Sequence, residues 1–266
     1  MKLPQIGLGT WELRGKECTK VVELALELGY RHIDTAHVYD NHHAIHKAIA
    51  GFDRKQLYIT SKIAIEEQVD PKNVQESVER ACDLALKELG TDYLDLYLIH
   101  APDRTFPLET IFAAMEKLIA QKKIDKAGVS NYTIHHLEDL RKAGYTPFAN
   151  QVEFHPYLNQ NELLEYCRAN GITLISFRPF GKGRLLRDEP LFDLLGAKHN
   201  KTGAQIILRW LMQKGIPVVP KASSEKHLRD NLDIFDFMLT EEEMFELDRL
   251  DRDKRYCRAD SPEYQY

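Results

Sequence analysis

Cysteine is scarce in this sequence, with four residues among 266: Cys18, Cys82, Cys167 and Cys257. No two of them form a Cys-x-x-Cys pair, which argues against a disulfide framework and against a zinc site. The sequence also lacks an apolar run long enough to span a membrane, and its first residues lack the apolar segment of a signal peptide. We therefore expect a cytoplasmic protein with no membrane partner and no metal.

Blocks of basic residues are missing as well. Lys and Arg number 36 against 41 Asp and Glu, for a formal net charge of −5. A dedicated nucleic-acid-binding protein normally carries a basic stripe, so we expect no nucleic-acid partner. Hydrophobic residues make up 43% and charged residues 29%. That balance is typical of a globular protein, and the length suits a single α/β barrel.

Short apolar runs alternate with longer amphipathic segments along the chain. The runs are rich in Ile, Val, Leu and Tyr and do not alternate cleanly with polar residues, as is typical of strands buried on both faces. Eight such runs are present, at residues 5–9, 31–35, 57–62, 94–100, 127–131, 148–153, 173–178 and 216–221.

The intervening segments carry the start and stop signals of helices. Asp70 followed by Pro71 predicts the start of a helix that continues to about Leu89, and Gly90 is suited to end it. The spacing of a capping box predicts two further helix starts. These lie at Thr202 with Gln205 and at Thr240 with Glu243.

Eight strands, each followed by helical sequence and without a low-complexity linker, predict one α/β domain over residues 1–266, a (β/α)8 TIM barrel. A doubly wound parallel sheet is the alternative. Such a sheet normally has a glycine-rich dinucleotide turn after its first strand. The segment Gly7-Leu8-Gly9-Thr10-Trp11-Glu12 lacks the third glycine of that turn, so the barrel is favoured.

Polar side chains occupy the ends of nearly all the predicted strands. In a barrel enzyme the carboxyl ends of the strands meet at one face, where the chemistry takes place. Chance and packing do not readily explain so many polar strand ends. They are Asp34, Lys62, His100, Ser130 with Asn131, Gln151 with Glu153, Arg178 and Lys221.

Three of these positions, together with a tyrosine in a following loop, suggest an acid catalyst without a nucleophile. A lysine beside a tyrosine favours the phenolate and so lowers the phenol pKa, which brings a weak acid nearer to the working pH. Tyr39 follows Asp34 by five residues and can reach back over the barrel mouth. Asp34 is expected to pair with Lys62, and His100 to orient a carbonyl oxygen. The attacking group must then come from a cofactor.

Several collinear blocks resemble the aldo-keto reductases over almost the whole chain. Within that family the chain is most similar to the short bacterial enzymes related to 2,5-diketo-D-gluconate reductase, which also reduce methylglyoxal. The blocks are Gly7-Leu8-Gly9-Thr10-Trp11, Gly29-Tyr30-Arg31-His32-Ile33-Asp34-Thr35-Ala36, Thr60-Ser61-Lys62, Leu98-Ile99-His100, Gly128-Val129-Ser130-Asn131, Asn150-Gln151-Val152-Glu153 and Val219-Pro220-Lys221.

The resemblance implies a monomeric NADPH-dependent oxidoreductase that reduces small aldehydes and ketones, such as methylglyoxal or 2,5-diketo-D-gluconate, to alcohols. The family's catalytic tetrad falls on Asp34, Tyr39, Lys62 and His100. Tyr39 is then the proton donor and His100 the group that orients the carbonyl. Trp11, Tyr39 and His100 would contact the substrate.

The same resemblance implies the cofactor contacts. Ser130, Asn131 and Gln151 would hold the nicotinamide amide, with Phe177 stacked on the ring. Arg178 and Phe180 would lie near the pyrophosphate. A lysine beside a helix N-terminus suits the adenosine 2′-phosphate. The remaining implied contacts are Thr10, Asp34, Lys221, Ser223, Ser224, His227 and Asn231.

Four positions depart from the family pattern. Phe177 stands where tyrosine is common and Arg178 where serine is usual. Ala101 replaces a tryptophan after the catalytic histidine, which implies a wider pocket. His227 aligns with the arginine that usually clamps the 2′-phosphate, so the charge there depends on pH. Lys226 and Arg229 are possible substitutes, and NADPH is expected over NADH.

A second possible site is the histidine-rich stretch with His42, His43 and His46. His42 and His46 are four residues apart, a spacing that metal ligands often show. Without an HExxH motif or a carboxylate at ligand spacing, a solvated helix start is the favoured interpretation. A metal-dependent barrel hydrolase is also disfavoured, because it needs paired histidines and carboxylates at several strand ends, whereas the strand ends here supply a single histidine.

Two further classes of function are consistent with parts of the sequence. A Schiff-base aldolase also uses a strand-borne lysine, but it does not explain the amide residues or the phosphate segment Lys221-Ala222-Ser223-Ser224. A nicotinamide-binding regulatory or sensor protein with little turnover has no need of the complete tetrad. The reductase is therefore the favoured function.

Overall fold

A computed structural model of the chain, which describes residues 1–257 and 260–266, contains a single sheet of eight parallel strands. Each strand pairs with its neighbour in chain order. Bridges between Ile6 and Val218 and between Gly9 and Lys221 join the first strand to the last, so the sheet closes into the predicted barrel. The strands are β1 Leu8–Gly9, β2 His32–Asp34, β3 Tyr58–Ile63, β4 Leu96–Ile99, β5 Ala127–Ser130, β6 Ala149–Glu153, β7 Thr173–Phe177 and β8 Val218–Val219.

Helices surround the barrel and connect each strand to the next, as parallel pairing requires. Their apolar faces pack against the outside of the sheet. They are α1 Gly15–Glu27, α2 His42–Ile49, α3 Ile65–Gln68, α4 Val74–Leu89, α5 Leu108–Ala120, α6 Ile134–Lys142, α7 Asn161–Ala169, α8 Leu185–Asp188, α9 Pro190–His199, α10 Gly203–Gln213, α11 Glu225–Leu232 and α12 Glu241–Asp248. None of the helices within residues 1–257 and 260–266 is both long and apolar enough to cross a membrane.

The local signals for helix ends are mostly confirmed. Thr202 and Thr240 form capping boxes with the residues three positions later, and Gly90 ends α4 in the left-handed conformation. The predicted start of α4 is wrong by three residues. Asp70 accepts the backbone N–H of Lys72 and the side-chain N–H of Asn73, and so stabilises a turn that precedes the helix.

Glycine is needed where the barrel closes. A Cβ on Gly9 would lie 2.5 Å from the backbone oxygen of Val219, so no side chain fits between β1 and β8 at this level. The strands bury both faces, and the carboxyl ends of all eight reach the same rim. This rim carries the polar residues that end the strands.

Candidate active site

A cavity of about 700 Å³ opens at the carboxyl ends of the strands. Most of the site residues that were predicted from the sequence line it, from seven of the eight strands and their loops. Because all eight strands are parallel and close into a barrel, their carboxyl ends meet at one rim, and residues far apart in sequence lie close together here. The predicted residues that line the cavity are Thr10, Trp11, Asp34, Tyr39, His100, Ser130, Asn131, Gln151, Phe177, Arg178, Phe180 and Lys221.

The floor of the cavity holds a buried ion pair. Lys62 Nζ on β3 donates to Asp34 Oδ1 on β2 at 2.7 Å, and both side chains are at most 4% exposed. Lys62 also donates to the carbonyl of Thr35 at 2.9 Å. Burial alone would lower the pKa of Lys62, but the charge of Asp34 and the hydrogen bonds with Asp34 and Tyr39 outweigh it and raise the pKa above its ordinary value. The ammonium therefore stays charged, and the expected pairing is present.

Tyr39 lies directly above this pair. It ends a short 3-10 turn, His37–Tyr39, after β2, and Lys62 Nζ is 5.2 Å from the centre of its ring. The His100 ring meets the Tyr39 ring edge to face, with 5.8 Å between centres. The structure thus brings together all four residues of the predicted tetrad at the cavity floor.

The expected direction of the Tyr39 pKa shift is wrong. Burial raises the pKa of the phenol above its ordinary value, and the charge of Lys62 lowers it only in part. The lysine acts in the predicted sense, but desolvation of the phenolate is the larger effect. The phenol therefore holds its proton at neutral pH.

The amide residues form one hydrogen-bonded chain beside the tetrad. Gln151 Nε2 donates to Asp34 Oδ2 at 2.6 Å, and Ser130 Oγ donates to the carbonyl of Gln151 at 2.7 Å. Asn131 Nδ2 donates to the carbonyl of His100 at 2.8 Å and to Ser130 Oγ at 3.1 Å. Asn131 has a left-handed backbone with φ of 66°, which turns its side chain from the end of β5 towards the cavity.

Two cations flank the tryptophan at the cavity mouth. The Arg178 guanidinium carbon lies 4.3 Å and the Lys182 Nζ 4.6 Å from the centre of the Trp11 ring. Both cations follow β7 in left-handed backbone conformations. Phe177, immediately before them, lines the same wall. This pairing of the β1 and β7 loops was not foreseen, because cation–ring contacts have no sequence signature.

Of the residues predicted to bind the adenosine 2′-phosphate, only Lys221 lines the cavity, and the others lie outside it around α11. Ser224 caps this helix by accepting the N–H of His227, whose side chain is exposed. Lys226 and Arg229, the possible substitutes for a clamping arginine, form ion pairs along the helix with Asp230 and Glu225. Lys221 lies at the cavity edge, 3.6 Å from Glu12. Ser223 is exposed, and Asn231 is buried beside the hydroxyl of Tyr30.

The contacts of the carboxyl-terminal tail with the site were not predicted from the sequence. The fully buried Glu153 at the end of β6 accepts the backbone N–H groups of Tyr256 and Cys257, so it anchors the tail instead of facing the cavity. Tyr256 and Cys257 line the cavity, and Tyr264 donates to Asn131 Oδ1 at 2.8 Å. The one signal of this anchor in the sequence was a glutamate at the end of an apolar strand, because a buried carboxylate needs hydrogen-bond donors.

The interpretation of His42 as part of a solvated helix start is wrong. His42 is 3% exposed and joins Glu88 on α4, at 2.9 Å, to Ser61 on β3, at 3.0 Å. Burial lowers the pKa of His42, with Glu88 opposing. His43 and His46 are exposed. Across the described part of the chain, no group of three or more His, Cys, Asp or Glu could hold a metal.

A closed barrel with a buried lysine–carboxylate pair, a phenol and amide groups around one mouth defines an enzyme of the (β/α)8 class. Residues 5–252 match the model of the Aldo/keto reductase family. The chain is 43% identical over 259 residues to the glyoxal reductase of Bacillus subtilis (strain 168), with 96% of this chain and 91% of the relative covered. It is 36% identical over 261 residues to the methylglyoxal reductase DkgA of Yersinia pestis, with 95% and 91% covered.

The solved structure of the aldose reductase from Schistosoma japonicum matches with a TM-score of 0.90 and 32% identity, covering 99% of this chain and 95% of that one. The chain therefore belongs to the aldo/keto reductase family and is an oxidoreductase that acts on carbonyl groups. The family expected from the sequence blocks and the expected barrel are both confirmed.

Proposed function

We propose that this protein reduces small aldehydes and ketones to alcohols with NADPH, including 2-oxoaldehydes such as methylglyoxal and the ketoacid 2,5-diketo-D-gluconate. The observation that carries the proposal is the half-buried phenol of Tyr39, set over the Lys62–Asp34 pair and against His100. The names of two relatives, glyoxal reductase and methylglyoxal reductase, support the substrate class.

The residues present fit a nicotinamide cofactor. Gln151 Nε2 donates one of its two N–H groups to Asp34, and the amide oxygen of Gln151 can accept a carboxamide N–H. Phe177 offers a ring face on the cavity wall, and Lys221 lies where the cavity edge meets the exposed start of α11. A helix N-terminus beside a lysine suits a phosphate dianion. When bound, NADPH supplies the hydride.

Each residue of the tetrad then has a distinct task. His100 orients the carbonyl oxygen towards Tyr39, and Tyr39 gives its proton to that oxygen as negative charge develops there. Lys62 stabilises the phenolate that remains, because its ammonium is held close by. Asp34 keeps the lysine charged and in place. The raised pKa of Tyr39 keeps the acid loaded with its proton before reaction.

Residues around the cavity mouth and α11 are the proposed contacts of the rest of the cofactor and of the substrate. We propose that Arg178 and Lys182, which flank Trp11 at the cavity mouth, contact the pyrophosphate and that Trp11 forms part of the substrate wall. Ser223, His227 and Asn231 are proposed to contact the adenosine end from outside the cavity. We further propose that the enzyme is a cytoplasmic monomer without nucleic-acid or membrane partners.

The test is Tyr39→Phe, which removes only the hydroxyl. We expect NADPH consumption with methylglyoxal to fall by at least about 100-fold, because a positioned general acid contributes factors of this size. NADPH binding, followed through Trp11 fluorescence, should be unchanged. NADH run in parallel measures cofactor preference.

Three outcomes would contradict the proposal. Near-normal turnover in Tyr39→Phe would show that another group donates the proton. Cofactor binding without turnover on methylglyoxal, 2,5-diketo-D-gluconate or a simple aromatic aldehyde would favour a sensor protein. Trapping of the substrate on Lys62 by borohydride would indicate an aldolase.

A further inference from the structure

The carboxyl-terminal tail reaches into the amide group of the site. Tyr264 donates its hydroxyl to Asn131 Oδ1 at 2.8 Å. Asn131 is 4% exposed and uses both hydrogens of its amide nitrogen on the carbonyl of His100 and on Ser130 Oγ. Because the nitrogen faces acceptors and the oxygen faces a donor, the orientation of this amide is fully specified.

Tyr264 is itself held by a framework of neighbouring contacts. The Arg255 guanidinium lies 3.9 Å from the centre of the Tyr264 ring and donates to Gln160 Oε1. Gln160 in turn donates to the carbonyl of Glu153 at 2.7 Å. On the other side, Glu263 Oε2 accepts from Arg104 and from His136. The hydroxyl is therefore delivered to Asn131 from a fixed position.

The room for this arrangement comes from a small residue. Ala101 and Tyr264 both line a smaller cavity of about 240 Å³ between the tail and the loop after β4, and Asn131 lines this cavity and the main one. A large side chain at position 101 would fill the space beside the tyrosine. The position of Tyr264 in the tail therefore depends on the small side chain of Ala101.

We infer that Tyr264 is a positioning residue for cofactor binding, an inference that rests on the proposed function. A carbonyl oxygen has two acceptor sites. The hydroxyl of Tyr264 takes one of those on Asn131 Oδ1 and turns the other towards the cavity, where it accepts the N–H of the nicotinamide carboxamide. The tail therefore sets the selectivity of the site for a carboxamide over groups that cannot donate.

The test compares Tyr264→Phe with Tyr266→Phe. Both variants remove one tyrosine hydroxyl from the tail, but that of Tyr266 donates to Asp139 on α6, away from the cavity. The Kd values for NADP⁺ and for its 3-acetylpyridine analogue, in which a methyl replaces the carboxamide NH₂, are measured through Trp11 fluorescence.

In Tyr264→Phe we expect the Kd for NADP⁺ to rise about fivefold, the size of one net hydrogen bond. The Kd for the analogue should stay unchanged, so the preference for the carboxamide falls by the same factor. KM for NADPH should rise in parallel while kcat changes little. Tyr266→Phe should leave both Kd values unchanged.

An unchanged carboxamide preference in Tyr264→Phe would overturn the inference, and so would an equal change in both variants, since that would indicate simple anchoring of the tail. If the unmodified protein turns over methylglyoxal with NADPH, either result leaves the proposed function intact. If the unmodified protein binds neither nucleotide, the proposed function and this inference both fail.

Discussion

Replacing Lys62 by Met tests the centre of the site, because it removes a charge and leaves a side chain of similar length. The substitution breaks an ion pair whose members are at most 4% exposed and leaves Asp34 buried. Breaking such a pair costs about 3–5 kcal/mol. Asp34 keeps its hydrogen bond from Gln151 at 2.6 Å, so we expect the lower end, about 3 kcal/mol. In a chain of this size that corresponds to a fall in Tm of roughly 6–12 °C.

The same substitution should abolish most turnover. Burial already raises the pKa of Tyr39, and Lys62 is the group that opposes this shift. Without the ammonium the phenolate left after proton transfer loses its stabilising charge. We expect kcat to fall by about 100-fold or more, within the range of general acid effects.

The assay is thermal unfolding followed by circular dichroism, with NADPH oxidation measured on the same preparations. Since the pKa of Lys62 is raised in the fold, the stability due to its charge is full below the ordinary lysine pKa and is lost only as the pH rises through the raised value. The difference in Tm between the two proteins should therefore be equal at pH 7 and pH 8.

The control is the double variant Lys62→Met with Asp34→Asn, which removes both charges. It should regain part of the lost Tm because no unpaired charge remains buried, yet it should stay inactive. A single variant within about 1 °C of the parent protein would refute the argument that the pair is desolvated. A double variant less stable than the single one would refute it as well.

Two further predictions concern the tail anchor and the acid limit of stability. Glu153→Gln replaces one accepting oxygen by an N–H donor that faces the backbone N–H of Cys257. We expect the free energy of unfolding, measured by chemical denaturation, to fall by about 1.5–3 kcal/mol and the tail to be cleaved faster by proteases. Unchanged proteolysis would contradict the anchoring role. Burial lowers the pKa of His32 from its ordinary value of about 6.5 to about 4. The stability that the neutral His32 ring gives the fold is therefore full above about pH 6.5. As the pH falls towards 4, the free energy of unfolding drops by about 1.4 kcal/mol per pH unit. Tm measured from pH 7 to pH 4 should fall less steeply in His32→Gln, and parallel curves would rule out this histidine as the cause.

Much of the barrel was predictable because its signals are local. The strands read as apolar runs because they are buried on both faces, and the capping residues Thr202 and Thr240 act on the backbone only three positions away. The start of α4 was predicted too early because its local signal is ambiguous. Asp70 followed by Pro71 is also a good turn, and the choice between turn and helix depends on hydrogen bonds to Asn73 that the pattern does not specify.

The candidate site was predictable to the extent that strand ends converge. Once eight strands close in order, Asp34, Lys62 and His100 must meet at one rim, whatever the loops do. His42 was misassigned because its partners, Glu88 and Ser61, come from other elements. A histidine on a polar helix start gives no sign of a carboxylate 46 residues away.

By itself, the sequence determined the order of the elements, the polar residues that end the strands and the family of the chain, because these depend on residue type and spacing. Only the tertiary structure decided how strongly Tyr39 is desolvated, and hence that its pKa is raised and not lowered. It also decided that Glu153 anchors the tail and that Tyr264 reaches Asn131. Burial and long-range hydrogen bonds arise from packing between distant segments, which no local pattern records.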